Sequence, residues 1–378
     1  MASMNYQDFT NAMNNADKIS QESSSNSTFN IVIVGAGVAG LTCARHLTHL
    51  LKKRPHKITV LEARDRVGGR TLSIPELNLD LGASWIFSSH TAALSLAHEL
   101  NISTINQYES GMSLISSGYS GIKRMTLGSI HHGAKRLKGG TSSLCTTILT
   151  ELTTKNRTTV TIALNSPVMS IAYETNKTIN VKLRNNSSIL ADYVVLALPP
   201  KLLISTINLT PELSPSLIKQ LNNCDTWMAS TCKAILQYER AWWKDQNLSG
   251  FAVSRHSKAQ EWHDASSNSC NALFVFCLAG TTKQQVIDAT VEIFGNEAMN
   301  PTAVYMIDWS REVFTSSSIN DNTGGHAYVN DECRQPQWNG RLWLGNSEVS
   351  NSDGGFVEGA VRRGTQVADQ LAELIIAK

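Results

Sequence analysis

The feature that most constrains the fold is a short apolar run followed at once by three spaced glycines. Residues Ile31–Val34 are consecutively apolar, which predicts a strand buried on both faces of a parallel sheet. Gly35, Gly37 and Gly40 follow in G-x-G-x-x-G spacing, and apolar residues then recur at helical spacing. In this arrangement the first glycine permits a tight turn, the second admits a pyrophosphate, and the third lets helix and strand pack closely. The motif predicts a dinucleotide-binding unit, although alone it also fits a glycine turn of any α/β protein.

A glutamate at the end of the next predicted strand supports the nucleotide interpretation. Residues Lys57–Leu61 predict that strand, and Glu62 follows it directly. A carboxylate at this point of a dinucleotide-binding unit can accept hydrogen bonds from both ribose hydroxyls of an adenosine. It also disfavours a 2′-phosphate, and therefore NADP. The alternative is a solvated glutamate at a strand end.

Arginines flank a glycine pair in the segment after this glutamate. Gly68 and Gly69 lie between Arg66 and Arg70, so that backbone and cationic side chains can both approach a pyrophosphate. With this segment the chain resembles the flavin-containing amine oxidase family, which includes monoamine oxidases, polyamine oxidases and L-amino acid oxidases. The resemblance implies that the dinucleotide is FAD, with Arg64 and Arg70 near its phosphates.

Further segments are similar to the parts of the family that contact the flavin. Residues Leu79–Ile86 resemble the strand beside the isoalloxazine ring, and Val168 stands where a valine backbone pairs with the adenine. Residues 340–348 resemble the family's closing strand and its turn, and residues 353–361 resemble the glycine turn whose helix begins beneath the pyrimidine ring. The resemblance implies the following FAD-binding residues: Gly35, Gly37, Ala39, Gly40, Glu62, Ala63, Arg64, Gly69, Arg70, Gly82, Ala83, Ser84, Trp85, Val168, Gly345, Glu348, Gly355, Phe356 and Val357.

A lysine within an apolar strand is the leading catalytic candidate. Lys233 lies in the predicted strand 230–238, and lysine is almost never fully buried without a partner. The alternative is a lysine at a strand edge whose side chain reaches solvent. The resemblance instead implies the family lysine that holds a water against flavin N5.

The substrate end departs from the family pattern at several positions. His326 replaces the cysteine that carries the flavin in covalent monoamine oxidases, which predicts non-covalent FAD. Ala327 replaces an aromatic residue of the substrate cage, and Tyr328 is the candidate to take its place. Phe356 matches the other aromatic wall, unless it is an ordinary core residue, and Asn346 replaces a glycine near the flavin. The catalytic candidates are therefore Lys233, Phe356, Tyr328 and His326.

The predicted fold class is α/β, with a Rossmann-like FAD-binding domain and an inserted substrate domain of mixed-sheet α+β structure. The predicted FAD-binding domain comprises residues 28–90, 135–200 and 334–378, and the substrate domain comprises 91–134 and 201–333. The long helical substrate region of larger relatives has no counterpart, so the chain is identified as a short, bacterial-type member of the family. A second subunit is a candidate to complete the shortened chamber, which makes a homo-oligomer a possible assembly.

Composition and charge limit the partners and the compartment. A formal net charge of +2 over 378 residues gives no broad field for nucleic acid, and no apolar segment predicts a membrane span. Residues 1–27 are rich in Asn and Ser and lack the apolar region of a signal peptide, so we expect a disordered leader. Seven cysteines without a C-x-x-C pair predict buried free thiols in a cytoplasmic protein. Zinc-like spacing of His and Cys is absent, so we expect no metal.

The resemblance implies FAD-dependent oxidation of a primary or secondary amine. In that reaction a hydride passes from the amine α-carbon to flavin N5, the imine hydrolyses, and O2 becomes H2O2. Three alternatives stay open at this point. The first is an L-amino acid oxidase, in which an arginine binds the substrate carboxylate; the candidates are Arg124, Arg136, Arg255 and Arg311. The others are a flavin-dependent desaturase or isomerase and a catalytically degenerate FAD-binding protein.

Overall fold

The computed structural model describes most of the chain, in five ranges: 28–118, 121–128, 130–156, 159–316 and 326–378. The predicted disordered leader, residues 1–27, lies outside these ranges and stays a prediction. The glycine pair that precedes His326 also lies outside them. Within the described ranges, every helix is too short or too polar to span a bilayer.

The described residues form twenty strands and eight α-helices. The strands are β1 (Phe29–Val34), β2 (His56–Leu61), β3 (Ser73–Ile74), β4 (Leu79–Asp80), β5 (Thr104–Asn106), β6 (Met112–Ser116), β7 (Ile122–Met125), β8 (Lys135–Leu137), β9 (Val160–Ala163), β10 (Val168–Tyr173), β11 (Ile179–Leu183), β12 (Ser188–Ala191), β13 (Tyr193–Leu196), β14 (Asn208–Thr210), β15 (Thr231–Tyr238), β16 (Leu248–Ser254), β17 (Ala259–Asp264), β18 (Asn271–Leu278), β19 (Ala303–Asp308) and β20 (Leu342–Leu344). The α-helices are α1 (Val38–Leu50), α2 (Thr91–Glu99), α3 (Ser142–Lys155), α4 (Pro200–Thr206), α5 (Pro215–Asn223), α6 (Trp242–Asp245), α7 (Lys283–Phe294) and α8 (Val357–Ile376). Short 3-10 turns occupy Pro75–Leu77, Asn296–Met299, Trp309–Arg311, Asp331–Arg334 and Ser347–Val349.

A five-stranded parallel sheet contains the glycine motif. Its strand order is β20-β13-β1-β2-β9, so that β1 lies at the centre. Ile31 and Ile33 of β1 pack in a core shared with α1, α3 and α8. Val32 and Val34 pack on the other face, against β10, β11 and β12. The prediction of a strand buried on both faces is therefore confirmed, and the carboxyl ends of the five strands share one edge.

The helix that follows β1 is in direct backbone contact with the last helix of the chain. Gly364 lies on α8, and a Cβ at this position would be 2.4 Å from the carbonyl oxygen of Ala39 in α1. Apolar residues of both helices pack in the same core. The absence of a side chain at Gly364 thus lets α8 lie directly against the helix that begins at the glycine turn.

Substitution of Gly364 by alanine should lower the free energy of unfolding by about 1–3 kcal/mol, because the added methyl group overpacks this contact. Helix propensity alone predicts the opposite sign, since alanine is favoured over glycine in a helix by roughly 0.5–1 kcal/mol. Urea denaturation of the holoenzyme measures the difference. Gln370→Ala, at an exposed position of α8, is the control and should change the free energy by less than about 0.5 kcal/mol. Wild-type stability in Gly364→Ala would contradict a tight contact.

The largest sheet is mixed and has seven strands, in the order β19-β15-β18-β17-β16-β6-β7. β15 carries Lys233 and pairs antiparallel with β18 on one side and β19 on the other. The residue is 2% exposed. Lys233 is therefore not at a strand edge, and the interpretation as a solvent-reaching edge lysine is wrong.

A four-stranded sheet, β12-β11-β10-β14, packs against the parallel sheet. The apolar run Ile189–Leu196 predicts a single strand, and this prediction is wrong. Its residues belong to β12 in the small sheet and to β13 in the parallel sheet, with Asp192 between them. The Asp192 carboxylate accepts the backbone N–H of Asn30 at 2.8 Å, which fixes the chain where it passes from one sheet to the other.

The structure has the predicted α/β fold, in which a parallel sheet flanked by helices is combined with a mixed sheet. All strands of the parallel sheet come from the segments predicted to form the FAD-binding domain. All strands of the seven-stranded sheet come from the segments predicted to form the substrate domain. The domain boundaries themselves stay predictions.

Candidate active site

A cavity of about 740 Å³ lies at the carboxyl edge of the parallel sheet. Its walls include residues that follow β1, β2, β13 and β20, together with residues of β15 and β18 from the mixed sheet. This volume is within the range of ~300–1,000 Å³ that is usual for small-molecule sites. The carboxyl ends of parallel strands are also where open α/β sheets bind their ligands.

The glycine turn after β1 forms one wall of the cavity. Gly35 has a φ angle of +107°, and Gly37 immediately precedes α1. The N-terminus of α1 has no side-chain cap, so its first N–H groups are available to a phosphate. Gly40 does not line the cavity. It packs against the turn, where an added Cβ would lie 2.0 Å from the carbonyl oxygen of Gly35. The three glycines thus stand where a tight turn, an open approach and close helix packing are needed.

Glu62 holds the backbone of two turns at the cavity wall. Its carboxylate accepts the N–H of Ala36 and the N–H of Arg64, each at 2.9 Å. The residue is 4% exposed and lines the cavity. Removal of this carboxylate would leave two backbone N–H groups without their acceptor.

The two predicted phosphate arginines are both held by carboxylates. Arg64 donates to Glu312 at 3.0 Å, and its side chain is nearly buried. Arg70 donates to Glu348 at 2.5 Å and to the hydroxyl of Ser347 at 3.0 Å. The Glu348 side chain is fully buried and does not line the cavity, so it contacts this site only through Arg70 and its neighbours.

Lys233 is buried against the strand that resembles the isoalloxazine strand of the family. Its Nζ donates to the carbonyl of Gly82 at 3.0 Å and to the hydroxyl of Ser84. It also lies 4.1 Å from the ring centroid of Phe274. Burial lowers the pKa of Lys233 from 10.5 to about 7, and the nearby Asp80 carboxylate opposes this shift. The site therefore contains a lysine that changes charge near neutral pH.

Three aromatic rings line the cavity where α8 begins. The His326 ring stacks on Trp227 with a centroid distance of 4.0 Å, and it lies 4.9 Å from the ring of Phe356. Trp227 and Phe356 are 6.2 Å apart, and all three residues line the cavity. Gly355 makes room for the tryptophan, since a Cβ there would lie 2.8 Å from the Trp227 Cβ. The structure thus gives the cavity an aromatic wall that includes two of the predicted catalytic candidates.

Tyr328 does not belong to this wall. Its side chain is 88% exposed and does not line the cavity. The neighbouring Ala327 and Val329 pack in the core between the parallel and small sheets, which leaves Tyr328 directed outward. The structure therefore separates Tyr328 from Lys233, His326 and Phe356.

Asn346 is buried at the cavity without a hydrogen-bond partner. The residue is 2% exposed, and neither its amide oxygen nor its amide nitrogen has a partner among the described residues. It follows β20 with a φ angle of −90°, so the backbone does not require a glycine here. Because it lines the cavity, a ligand with polar atoms would satisfy this amide.

Most of the residues predicted to bind the cofactor line the cavity. Among the predicted site residues, those that line it are Gly35, Gly37, Ala39, Glu62, Ala63, Arg64, Gly69, Arg70, Gly82, Ala83, Ser84, Trp85, Val168, Lys233, His326, Gly355, Phe356 and Val357. Those that do not line it are Gly40, Gly345, Glu348 and Tyr328. Gly345 is placed by strand packing instead, since a Cβ there would lie 2.6 Å from the Val195 side chain. The roles of all these residues stay predictions.

Many of the lining residues were not predicted from the sequence, and two of these bring an aromatic ring and a carboxylate to the cavity. Trp227 precedes β15 in an irregular segment. Gly355 leaves room for it, but a glycine does not show from the sequence which residue packs against it. Glu261 lies on β17, outside the segments that resemble the family. No local pattern marks either residue as part of a site.

A family model agrees with this fold and site. The model described as flavin containing amine oxidoreductase matches residues 38–113 and 105–372. The probable flavin-containing monoamine oxidase A of Dictyostelium discoideum is 22% identical over 463 aligned residues, covering 92% of this chain and 98% of that protein. That alignment is longer than the 378 residues of this chain, so the relative contains segments that this chain lacks.

Two solved structures share the fold. Wild-type putrescine oxidase bound to putrescine superimposes with a TM-score of 0.75 at 20% identity, covering 93% of this chain and 100% of that chain. Cyclohexylamine oxidase from Brevibacterium oxydans superimposes with a TM-score of 0.76 at 18% identity, covering 92% and 99%. The match to the family model spans well over half of the chain, and the predictions of the family and of FAD are confirmed with it. The chain belongs to the flavin-containing amine oxidoreductase family and is an FAD-dependent amine oxidoreductase.

Proposed function

We propose that this protein oxidises a primary or secondary amine, with non-covalently bound FAD as the hydride acceptor and O2 as the final electron acceptor. The observation that carries the proposal is the placement of Lys233 and the aromatic wall in one cavity with the glycine turn. A buried lysine that changes charge near neutral pH is a common property of active sites.

The residues of the cavity fit FAD. The glycine turn and the uncapped N-terminus of α1 would hold the pyrophosphate, and Glu62 would bind the adenosine ribose. Arg70 would add a cation near the phosphates. The buried amide of Asn346 supports this assignment independently, because an unpartnered amide at the cavity needs a polar ligand atom.

Lys233 and α8 would act at the flavin end of the cavity. When bound, the flavin takes a hydride from the amine α-carbon and passes two electrons to O2, which yields an imine and H2O2. Lys233 would hold a water near the reacting atoms through the Nζ donor that remains beside Gly82 and Ser84. The uncapped N-terminus of α8, which begins after Phe356 at the cavity, would stabilise negative charge there.

The aromatic wall would hold the amine. The rings of Trp227, His326 and Phe356 exclude water from their surface, which disfavours the ammonium form and favours the neutral amine that can release a hydride. Attraction between a cation and an aromatic face opposes this effect but still brings the substrate to the wall. The same wall would therefore both collect and position the amine.

The cytoplasmic location and the non-covalent cofactor are part of the proposal. All seven cysteines are free and buried, as expected for a reducing compartment. None of them stands at the position of His326, where covalent relatives attach the flavin.

The arrangement of arginines favours amines over amino acids. None of the candidates named for a substrate carboxylate lines the cavity: Arg124, Arg136, Arg255 and Arg311. Arg136 is instead occupied by the backbone carbonyls of Ala265 and Ser266. Among the described residues, the arginines that line the cavity are Arg64, Arg70 and Arg184, and the first two lie in the segment beside the glycine turn.

Peroxide release across a panel of amines and amino acids tests the proposed function. Purified holoenzyme should release H2O2 with at least one primary or secondary amine and not with the corresponding amino acids. Acid precipitation of the same protein should release its FAD into the supernatant, which measures the cofactor and its lack of a covalent bond.

The possible results separate the alternatives. Peroxide from amino acids alone would indicate an L-amino acid oxidase and overturn the amine proposal. Absence of peroxide with every substrate, despite one FAD per chain, would favour a desaturase, an isomerase or a catalytically degenerate protein. Flavin that stays with the precipitated protein would contradict non-covalent binding.

A further inference from the structure

Four titratable side chains form a continuous hydrogen-bonded line beside the cavity. Glu109 Oε1 lies 2.7 Å from His131 Nδ1, and His131 Nε2 lies 2.8 Å from His263 Nδ1. His263 Nε2 in turn lies 2.8 Å from Glu261 Oε1. Each imidazole thus uses both ring nitrogens within the line, and a carboxylate stands at either end. We call these four residues the histidine relay.

The relay joins the cavity to the protein surface. Glu261 lines the cavity and has 41% of its side chain exposed, and the Glu109 side chain at the far end is 22% exposed. The two imidazoles between them are buried, with side-chain exposures of 5% for His131 and 3% for His263. A proton could therefore enter and leave this line only at its carboxylate ends.

Aromatic packing fixes the orientation of both imidazoles. The ring of Trp85 lies 4.7 Å from the centroids of both His131 and His263. Phe274 stacks on His263 at 4.7 Å with an interplanar angle of 29°. Trp85 itself lines the cavity and donates to the side chain of Gln107 at 2.9 Å. The relay is thus a rigid element behind the cavity wall rather than a mobile surface cluster.

The line has more contacts than its neutral imidazoles have protons. Each of its three contacts requires one proton, but two neutral imidazoles and two carboxylates supply only two. A third proton, when it enters the line, lies on a carboxyl group or on an imidazole. Burial lowers the pKa of His263 to about 4 and also lowers the pKa of His131, and charges on Lys233 and His132 add to these effects. Glu261 and Glu109 oppose the shifts on the imidazoles, and the pKa of Glu261 is itself lowered, since the effect of burial is outweighed by its hydrogen bond with His263 together with the charges of both histidines. Neither the imidazoles nor Glu261 therefore favours a third proton at rest.

We propose that the histidine relay conducts a proton between the substrate cavity and solvent. The proposal rests on the proposed function, because an amine reaches the site mainly as an ammonium ion and must lose a proton before it can release a hydride. An N–H bond of the ammonium breaks and an O–H bond forms on Glu261. One proton then moves across each contact of the relay, and Glu109 releases one proton to solvent.

The relay returns to its starting protonation state during the reduction of O2. Reduction of O2 to H2O2 with the two electrons and one proton taken from the amine consumes one further proton. Movement in the opposite direction, from Glu109 to Glu261, supplies it. Both imidazoles then return to their starting tautomers, so the relay carries no net proton over a complete cycle.

Nitrogen-15 NMR of the holoenzyme, labelled at histidine, tests the relay without any substrate. Variants that remove the two ends should leave the imidazoles in opposite tautomers. In Glu109→Leu, His131 and His263 should both carry their proton on Nε2, directed toward Glu261. In Glu261→Leu, both should carry it on Nδ1, directed toward Glu109. Signals are assigned with His131→Phe and His263→Phe, which keep a ring in contact with Trp85.

The control is an exposed histidine–carboxylate pair elsewhere on the chain. His46 Nε2 lies 2.8 Å from Asp369, and Asp369→Leu should change the signals of His46 alone. If the imidazole remote from each substitution has the same tautomer in both end variants, the proposal is wrong. Should either leucine variant fail to fold, Glu109→Gln or Glu261→Gln replaces it. An amide accepts a hydrogen bond more weakly than a carboxylate, so the remote imidazole should shift its proton toward the unchanged end.

Anaerobic rapid mixing with benzylamine, or with the amine that the peroxide assay ranks first, supplies the kinetic test. In His131→Phe, flavin reduction at pH 7 should be slower by about tenfold or more, and it should recover at high pH, where solution supplies neutral amine. His46→Phe should match the wild type. Reduction of His131→Phe at the wild-type rate and with the wild-type pH profile would overturn the proposal. If no amine reduces the wild-type flavin, the proposed function fails, and the NMR result still decides the relay.

Discussion

Replacement of Lys233 by methionine should leave FAD bound and slow one half-reaction on the order of 10²-fold, the lower end of what a positioned proton-transfer group contributes. The reason is that Lys233 is buried among Gly82, Ser84 and Phe274 at the cavity, where methionine keeps the volume but neither the charge nor the donors. Anaerobic reduction by substrate and reoxidation by O2, followed separately by stopped flow, identify the affected step.

The pH dependence of that step gives a second measurement. Because burial lowers the pKa of Lys233 from 10.5 to about 7, the side chain is charged below pH 7 and neutral above it. A rate that depends on this charge should fall as the pH rises through about 7, and the Lys233→Met enzyme should lack this limb. Lys182→Met, on β11 in the small sheet, is the matched control. If reduction and reoxidation both keep their wild-type rates at every pH in Lys233→Met, the lysine has only a structural role.

The Glu62→Ala protein should bind FAD at least about tenfold more weakly, since a hydrogen bond to a charged group contributes roughly 1.5–3 kcal/mol. It should also be less stable without cofactor. The carboxylate accepts the N–H groups of Ala36 and Arg64, and each buried N–H left unpaired costs about 1–3 kcal/mol. Titration of the apoprotein with FAD, followed by flavin fluorescence, gives the dissociation constant, and urea denaturation of the apoprotein gives the stability.

Glu174→Ala serves as the control for both measurements, because Glu174 is exposed in a turn of the small sheet. An unchanged dissociation constant for FAD in Glu62→Ala would contradict the proposal that Glu62 binds the adenosine ribose. If the stability falls and the dissociation constant is unchanged, the role of Glu62 is only to hold the backbone N–H groups of Ala36 and Arg64.

The cofactor end of the site could be predicted because its determinants are local in the sequence. The strand Phe29–Val34, the three glycines and Glu62 lie within one βαβ unit, where spacing and apolar pattern specify the turn. Lys233 could be identified because a cation within an apolar strand needs a reason to be there. Each of these signals depends on residue types at short separations.

The substrate end could not be predicted because its contacts join distant parts of the chain. Trp227 meets His326 across about a hundred residues, and His131, in the segment before β8, meets His263 of β17. Tyr328 was expected at the substrate cage but points outward, because the core packing of its neighbours sets the direction of its side chain. The sequence pattern of an alternating apolar segment shows which side is buried but not what the other side faces.

The contact between α1 and α8 also bears on how the protein matures. β20 completes the edge of the parallel sheet, and α8 packs on α1 through Gly364, so the first and last elements of the cofactor site depend on each other. During synthesis the glycine turn leaves the ribosome long before Asn346, Phe356 and Val357, which lie far along the chain. FAD can therefore be fully enclosed only after the chain has been made as far as Val357 and this part has packed against the glycine turn. Such long-range closure also implies slow folding, in which free FAD would select the completed site.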